Sequence, residues 1–252
     1  MYATCNSTIN KKHKKIIDSA ENNTKGGVSE NINFLGIILF VQILYSCTSP
    51  IIPYSIDAKK EDPPLETLIN WEGWYTIKAI KPFFAPWDYL EDETVFRCFF
   101  SSQYFYFSFN VADATPIMCR EFVQESDVEA EDRVEIFFSA SKDMGQYYCM
   151  EIDPSGHVMD YSASYYRKFD YEWNFKSLEI CSIKDEKGYI VAGRLSVSEL
   201  LELGIDLEEF YMGVFRADFT TPNTVIWYSS VSINEPKPDF HKPNILFPCM
   251  KK

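Results

Sequence analysis

The sequence predicts an all-β protein: a single antiparallel β-sandwich of about nine strands with one short helix. Three observations predict it. Apolar and polar residues alternate in many short runs, and turn signals separate those runs. The chain carries 20 Phe, 16 Tyr and 5 Trp but only 10 Gly, which is enough apolar bulk in 252 residues for one sizeable core. Only one window carries helix start and stop signals together.

In chain order, a weak run at 75–80 and a firmer one at 95–100 open the series. Residues 103–111 read QYFYFSFNV. Phe105, Phe107, Phe109 and Val111 point one way and Tyr104, Tyr106, Ser108 and Asn110 the other, the period of a half-buried strand. Val134, Ile136 and Phe138 alternate with Arg133, Glu135 and Phe137. Tyr148, Met150 and Ile152 alternate with Cys149, Glu151 and Asp153. The turn Asp153-Pro154-Ser155-Gly156 then reverses the chain into 157–163, since proline presets φ and glycine accepts a positive one. Further strands are predicted at 178–183, 189–195, 211–219 and 224–230. The helix lies between two of them: Ser196 and Glu199 make a capping box, Leu200, Leu201 and Leu203 an apolar stripe, and Gly204 the stop.

The amino terminus reads differently. Residues 34–46 (FLGIILFVQILYS) form an apolar run of 13 that ends at Cys47. A membrane span needs roughly 20 apolar residues, so the run fits the apolar region of a secretory signal better than a transmembrane helix. Leu44, Tyr45, Ser46 and Cys47 resemble a bacterial lipoprotein box, in which the cysteine takes a thioether-linked lipid that holds a soluble domain at a membrane. Tyr45 is bulky for that position, and the basic cluster Lys11, Lys12, Lys14 and Lys15 lies well before the apolar run. The expected organisation is a lipoprotein-type signal peptide at 1–46, a proline-rich charged tether at 47–66, and one sandwich domain at 67–252.

Charge and cysteines narrow the function. The formal net charge is −13, and 1–46 carries five Lys against Asp18, Glu21 and Glu30, so the remainder is more acidic still. A chain this acidic, with no basic patch, repels phosphate backbones and is not expected to bind nucleic acid. Beyond Cys47 stand Cys98, Cys119, Cys149, Cys181 and Cys249, an odd number with no CxxC spacing, which argues against a zinc site or a disulfide scaffold. A single disulfide stays open, with no pairing deducible.

Several stretches in order resemble the family 9 carbohydrate-binding modules, in the version found in exported bacterial lipoproteins. They are TVFRCFFSSQYFYFSFNVAD (94–113), EDRVEIFFS (131–139), YYCMEIDPSGHVMDY (147–161), GRLSVSELLELGI (193–205), YMGVFRADF (211–219) and the closing WYSSVSINEPKPDFHKPNILF (227–247). The resemblance implies a non-catalytic sugar-binding sandwich, with oligo- or polysaccharide as partner, a lipid anchor at the membrane, and glycan-degrading enzymes working alongside. It implies no obligatory cofactor, although some members of the family hold a structural calcium ion. Members clamp a terminal sugar between tryptophans.

Sugars stack their C–H faces on flat rings, while carboxylates, amides and arginine take the hydroxyls. Trp227, in the strand matching the family's carboxy-terminal tryptophan-serine segment, is the first candidate ring. Trp173 is the second, in the aromatic, charged stretch YYRKFDYEWNF (165–175), which reads as a loop suited to recognition. Arg216 and Asp218, two apart on one strand face, and Arg167 are the expected hydroxyl contacts. Trp71, Trp74 and Trp87 are secondary. Between Val111 and Arg133 the chain has only Phe122 as a ring. Glu135 and Glu151, on polar faces of neighbouring strands, leave open a glycan hydrolase or a cation site. His241 reads as a buried, hydrogen-bonded histidine and His157 as exposed. Either could join Met118, Met150, Met159 or Met212 in a haem-binding redox domain of similar fold, but no spacing favours it.

Overall fold

The computed structural model describes residues 52–118 and 121–252. The segment 1–46 expected as a signal peptide, the cysteine expected to carry a lipid (Cys47) and Cys119 lie outside the described residues. The chain runs through β1 (Tyr54–Ile56), β2 (Phe83–Ala85), β3 (Leu90–Asp92), β4 (Val95–Phe100), β5 (Tyr104–Val111), β6 (Arg133–Ser139) and β7 (Tyr147–Ile152). It continues through β8 (Val158–Ser164), β9 (Lys168–Asp170), β10 (Glu179–Asp185), β11 (Gly188–Ser196), the helix α1 (Val197–Glu202), β12 (Phe210–Thr221), β13 (Thr224–Ser229) and β14 (Phe247–Lys251).

These strands make two sheets. The smaller has the order β10-β11-β5-β4, all antiparallel. The larger runs β3-β2-β13-β12-β6-β7-β8-β9, with β14 pairing a second stretch of β12 and carrying β1 parallel on its far side. The period of two sorts side chains as the sequence predicts. Phe105, Phe107 and Phe109 meet Val134, Ile136, Phe138, Met150, Met212 and Val214 in the main core between the sheets. The opposite face of the larger sheet carries Phe137, Tyr147, Cys149, Tyr161 and Phe215, and a second apolar cluster covers them with Ile233, Phe240, Ile245 and Leu246 from the segment between β13 and β14. That covered outer face positions the site.

Three expectations need correction. The described part of the 47–66 segment is not a free tether: Tyr54–Ile56 pairs with Cys249–Lys251, and Ile56 enters the main core. Its prolines and charges outweighed a short alternation that only its partner strand reveals. The run at 75–80 is not a strand, because Glu72–Thr76 coils into a 3-10 helix that buries Trp74, and only Ile80 bridges to Phe96. The strand count also exceeds nine, since β1, β2, β3, β9 and β14 span three to five residues each and carry too little periodicity to read.

The helix behaves as predicted at one end of its capping box. The Ser196 side chain accepts from the Glu199 amide, and Gly204, at φ +80°, ends the helix in the left-handed conformation. Glu199 does not reach back to the cap. Its carboxylate accepts instead from the Lys176 amide at 2.7 Å and the Ser177 amide at 2.8 Å, tying the chain after β9 to the helix. Among the described residues, no helix is long and apolar enough to cross a membrane.

Candidate functional site

Strand register assembles the floor of a cavity on the outer face of the larger sheet. Trp227 on β13 sits opposite Ala217 on β12, and Ala217 sits opposite Arg133 on β6. Because alanine has no bulk in this row, the Arg133 guanidinium reaches over the indole, with its Cζ 5.3 Å from the ring centroid. In the next row on the same face, Glu135 lies directly opposite Glu151, with Met159 beyond it.

These polar side chains are nearly enclosed: Arg133 is 6% exposed, Glu135 2% and Glu151 5%. Arg133 Nε contacts Glu135 Oε1 at 3.0 Å and Glu151 Oε2 at 2.6 Å, and Nη1 donates to the Glu129 carbonyl at 3.0 Å. The Tyr161 hydroxyl donates to Glu151 Oε1 at 2.8 Å. Burial pushes the Glu135 carboxyl above the usual carboxylate range, the facing Glu151 pushes the same way, and Arg133 opposes both. Burial alone would lower the Arg133 guanidinium, but the two glutamates reverse that and hold it charged. The floor is therefore a compact, preorganised polar set in which Arg133 stays charged and Glu135 keeps its proton more readily than an ordinary carboxyl.

Two segments wall the cavity. One is Pro238-Asp239-Phe240-His241 from the stretch between β13 and β14. Phe240 stacks on Phe215 with centroids 4.1 Å apart and meets Trp227 edge-on at 5.5 Å. Trp87 Nε1 donates to the Glu235 carbonyl at 2.8 Å and pins the same stretch from outside. The other wall is the turn and strand from Tyr166 to Tyr171. Tyr166 Oη donates to Asp239 Oδ2 at 2.5 Å and Arg167 Nη1 to Asp239 Oδ1 at 3.1 Å, so one aspartate joins the two walls. Burial would raise the Asp239 carboxyl, but these donors and the His241 amide overrule it and hold it low. His241 Nδ1 lies 3.1 Å from the Tyr147 hydroxyl, and burial, aided by Arg167, drops its pKa to about 4, so the ring is neutral. The cavity encloses about 310 Å³, near the lower end of the range for small-molecule pockets.

The structure brings together some of the sequence-predicted residues and separates others. Trp227 and Arg167 both line this cavity. Trp173 does not: it packs against the main core, 5.0 Å from Tyr148 and 4.8 Å from Phe175. The ring-rich stretch that suggested a loop folds into β9, and its Phe169 and Tyr171 are the rings that face the cavity. Trp74 is buried with its Nε1 on the Leu68 carbonyl, and Trp71 stacks on Phe99 at 5.0 Å. Arg133, Tyr161, Phe169, Tyr171 and Asp239 were not singled out by sequence. The one available signal was a charged pair on the outward side of the Arg133–Ser139 alternation.

Arg216 and Asp218 flank Ala217 on β12 and so point to the opposite face of the sheet, where they belong to a separate polar cluster. Arg216 is 2% exposed, and its guanidinium contacts Asp92 at 2.6 Å, Asp113 at 2.8 Å and Asp218 at 3.3 Å. Asp113, Asp132 and Asp218 bring carboxylate oxygens within 4.8 Å of one another, a hard-donor set of the kind calcium takes. Arg216 itself already supplies positive charge there.

The architecture defines the class: a two-sheet sandwich whose outer sheet face is roofed into a polar, ring-lined cavity. Solved structures share the sandwich fold. A Bacteroides uniformis protein, described as a candidate carbohydrate-binding protein, superposes with TM-score 0.66 at 15% identity over 79% of this chain and 99% of its own. A family 9 carbohydrate-binding module of Caldicellulosiruptor kristjanssonii in complex with cellotriose gives TM-score 0.56 at 10% identity, over 79% of this chain and 93% of its own. A structure of such a module from the same organism with glucose gives TM-score 0.53 at 10% identity, over 79% and 95%. The fold is thus that of family 9 modules. No protein-family model and no curated protein matches the chain in sequence.

Proposed function

We propose that this chain binds carbohydrate without cleaving it, in the cavity between Trp227 and the Tyr166–Tyr171 wall. One observation carries the reading: an indole face, a buried polar floor of Arg133, Glu135, Glu151 and Tyr161, and the Arg167–Asp239 rim converge on a single small cavity. An indole offers the apolar side of a pyranose a flat support, and the floor takes hydroxyl donors that a dry apolar pocket would leave unpaired. The fold shared with modules solved with glucose and cellotriose supports it.

Hydrolysis fits less well. A glycosidase places its two carboxyl groups on either side of the scissile bond. Here Glu135 and Glu151 lie side by side in one sheet floor, and a single arginine contacts both.

We further propose that the domain is exported, anchored by lipid at Cys47, and captures oligo- or polysaccharide for degrading enzymes. Titration of the purified protein with a glycan panel tests the binding reading. The expected result is a saturable sugar ligand whose binding Trp227→Ala abolishes; no binding to any sugar defeats it. Incorporation of labelled fatty acid, lost in Cys47→Ala, tests the anchor.

A further inference from the structure

A second cavity of about 760 Å³ adjoins the first, and Glu129, Met159 and Tyr171 line both. Tyr171 stands between them. Its ring is 51% exposed and is braced from the first cavity's side by Phe169 and Tyr161, each at 5.3 Å. The second cavity mixes surfaces as a sugar site does: Phe122 and Val123 are apolar, and Phe122 is held by stacking on His157 at 4.1 Å. Gln124, Glu125 and Asn174 supply amides and a carboxylate, and Asn174 is itself oriented by the Asp160 side chain at 3.2 Å.

We propose that the two cavities form one groove with two sugar subsites, divided by Tyr171, and that its ligand is a neutral oligosaccharide of at least two units. This rests on the carbohydrate-binding reading of the first cavity and extends it. A braced ring with one open face is a stacking platform fixed before the ligand arrives, so little side-chain entropy is lost on binding. Charge decides the ligand class. Among the described lining residues of the second cavity, Glu125, Glu129 and Glu172 are acidic and none is basic. In the first, Glu135 and Glu151 share Arg133, and Asp239 occupies Arg167. A uronate carboxylate would meet repulsion in both, whereas hydroxyl donors meet acceptors.

Calorimetric titration of the full chain with mono-, di- and trisaccharides of gluco, xylo, manno and galacto configuration tests this, alongside the matching uronate oligomers. In the configuration that binds, the disaccharide is expected to bind about tenfold tighter than the monosaccharide, a gain of about 1.4 kcal/mol. Two exposed positions that line only the second cavity separate the subsites. Ser126→Trp, which fills it, and Glu172→Ala, which removes an acceptor, are expected to shrink that ratio while monosaccharide affinity stays within about twofold. Equal affinity for one and two units, a ratio that survives Ser126→Trp, or tighter binding of the uronate series overturns the two-subsite groove and leaves the first cavity's reading standing. Failure of every sugar to bind overturns both.

Discussion

Arg133 carries one positive charge against two buried carboxylates, and its position inside the sheet makes it the residue most sensitive to change. Arg133→Met leaves Glu135 and Glu151 facing each other without compensation. Breaking a buried pair in this way costs about 3–5 kcal/mol, which chemical denaturation should register. Converting both glutamates to glutamine in the same variant should recover part of that loss, because the uncompensated charge goes with them. His241 supplies a pH signature. Burial depresses its folded-state pKa to about 4, below the ordinary value of 6.5. Between those values the unfolded chain binds a proton that the native ring refuses. The contribution is therefore intact above about pH 6.5 and is lost as the pH falls toward 4. His241→Asn, which keeps a side-chain hydrogen-bonding group beside Tyr147, should flatten that part of the stability curve when melting temperatures of the two proteins are compared at pH 7 and pH 4.5.

At the scale of elements, the site depends on a stretch with almost no regular structure. The chain between β13 and β14 is held over the sheet by Phe240 on Phe215 and by the Trp87 bond to the Glu235 carbonyl, and is braced within itself by the Lys242–Glu235 ion pair. Trp87→Phe removes the bond but keeps an aromatic ring at the position. It should weaken sugar affinity several-fold and speed proteolysis within 231–246, with little change in the melting temperature of the sheets. The strands beneath were legible because half-buried sheets enforce a period of two, as Phe105 to Phe109 and Val134 to Phe138 show. The cover was not. Its three prolines, Pro236, Pro238 and Pro243, break any period, and the stacking that fixes it involves Phe215, more than 20 residues earlier. The 165–175 stretch misled for a related reason, since ring and charge content cannot say which rings turn inward. Trp173 packs on Tyr148, while Phe169 and Tyr171 face the cavity.

Across the whole molecule, Arg216 acts as a clamp between sheets. It gathers Asp92 at the end of β3, Asp113 just past β5 of the smaller sheet, and Asp218 on its own strand. Arg216→Met should lower stability by about 3–5 kcal/mol, while the sugar affinity of the remaining folded protein changes little, because this cluster does not line the cavity. Comparing that variant with Trp227→Ala separates the two roles, since the second should lose binding with far less loss of stability. The four described cysteines, Cys98, Cys149, Cys181 and Cys249, are free thiols, and three are buried among apolar side chains. Cohesion of the described fold thus rests on packing and these ion clusters.

Pattern in the chain alone determined the sandwich and the helix with its cap and stop, because each follows from spacing within a short window. Register and long-range closure decided the rest. Only pairing across β12 places Ala217 between Trp227 and Arg133, with Arg216 on the opposite face, and only the β6–β7 register sets Glu135 against Glu151. Which rings share a cavity depends on strands far apart in sequence meeting in one register, and no local periodicity encodes that alignment.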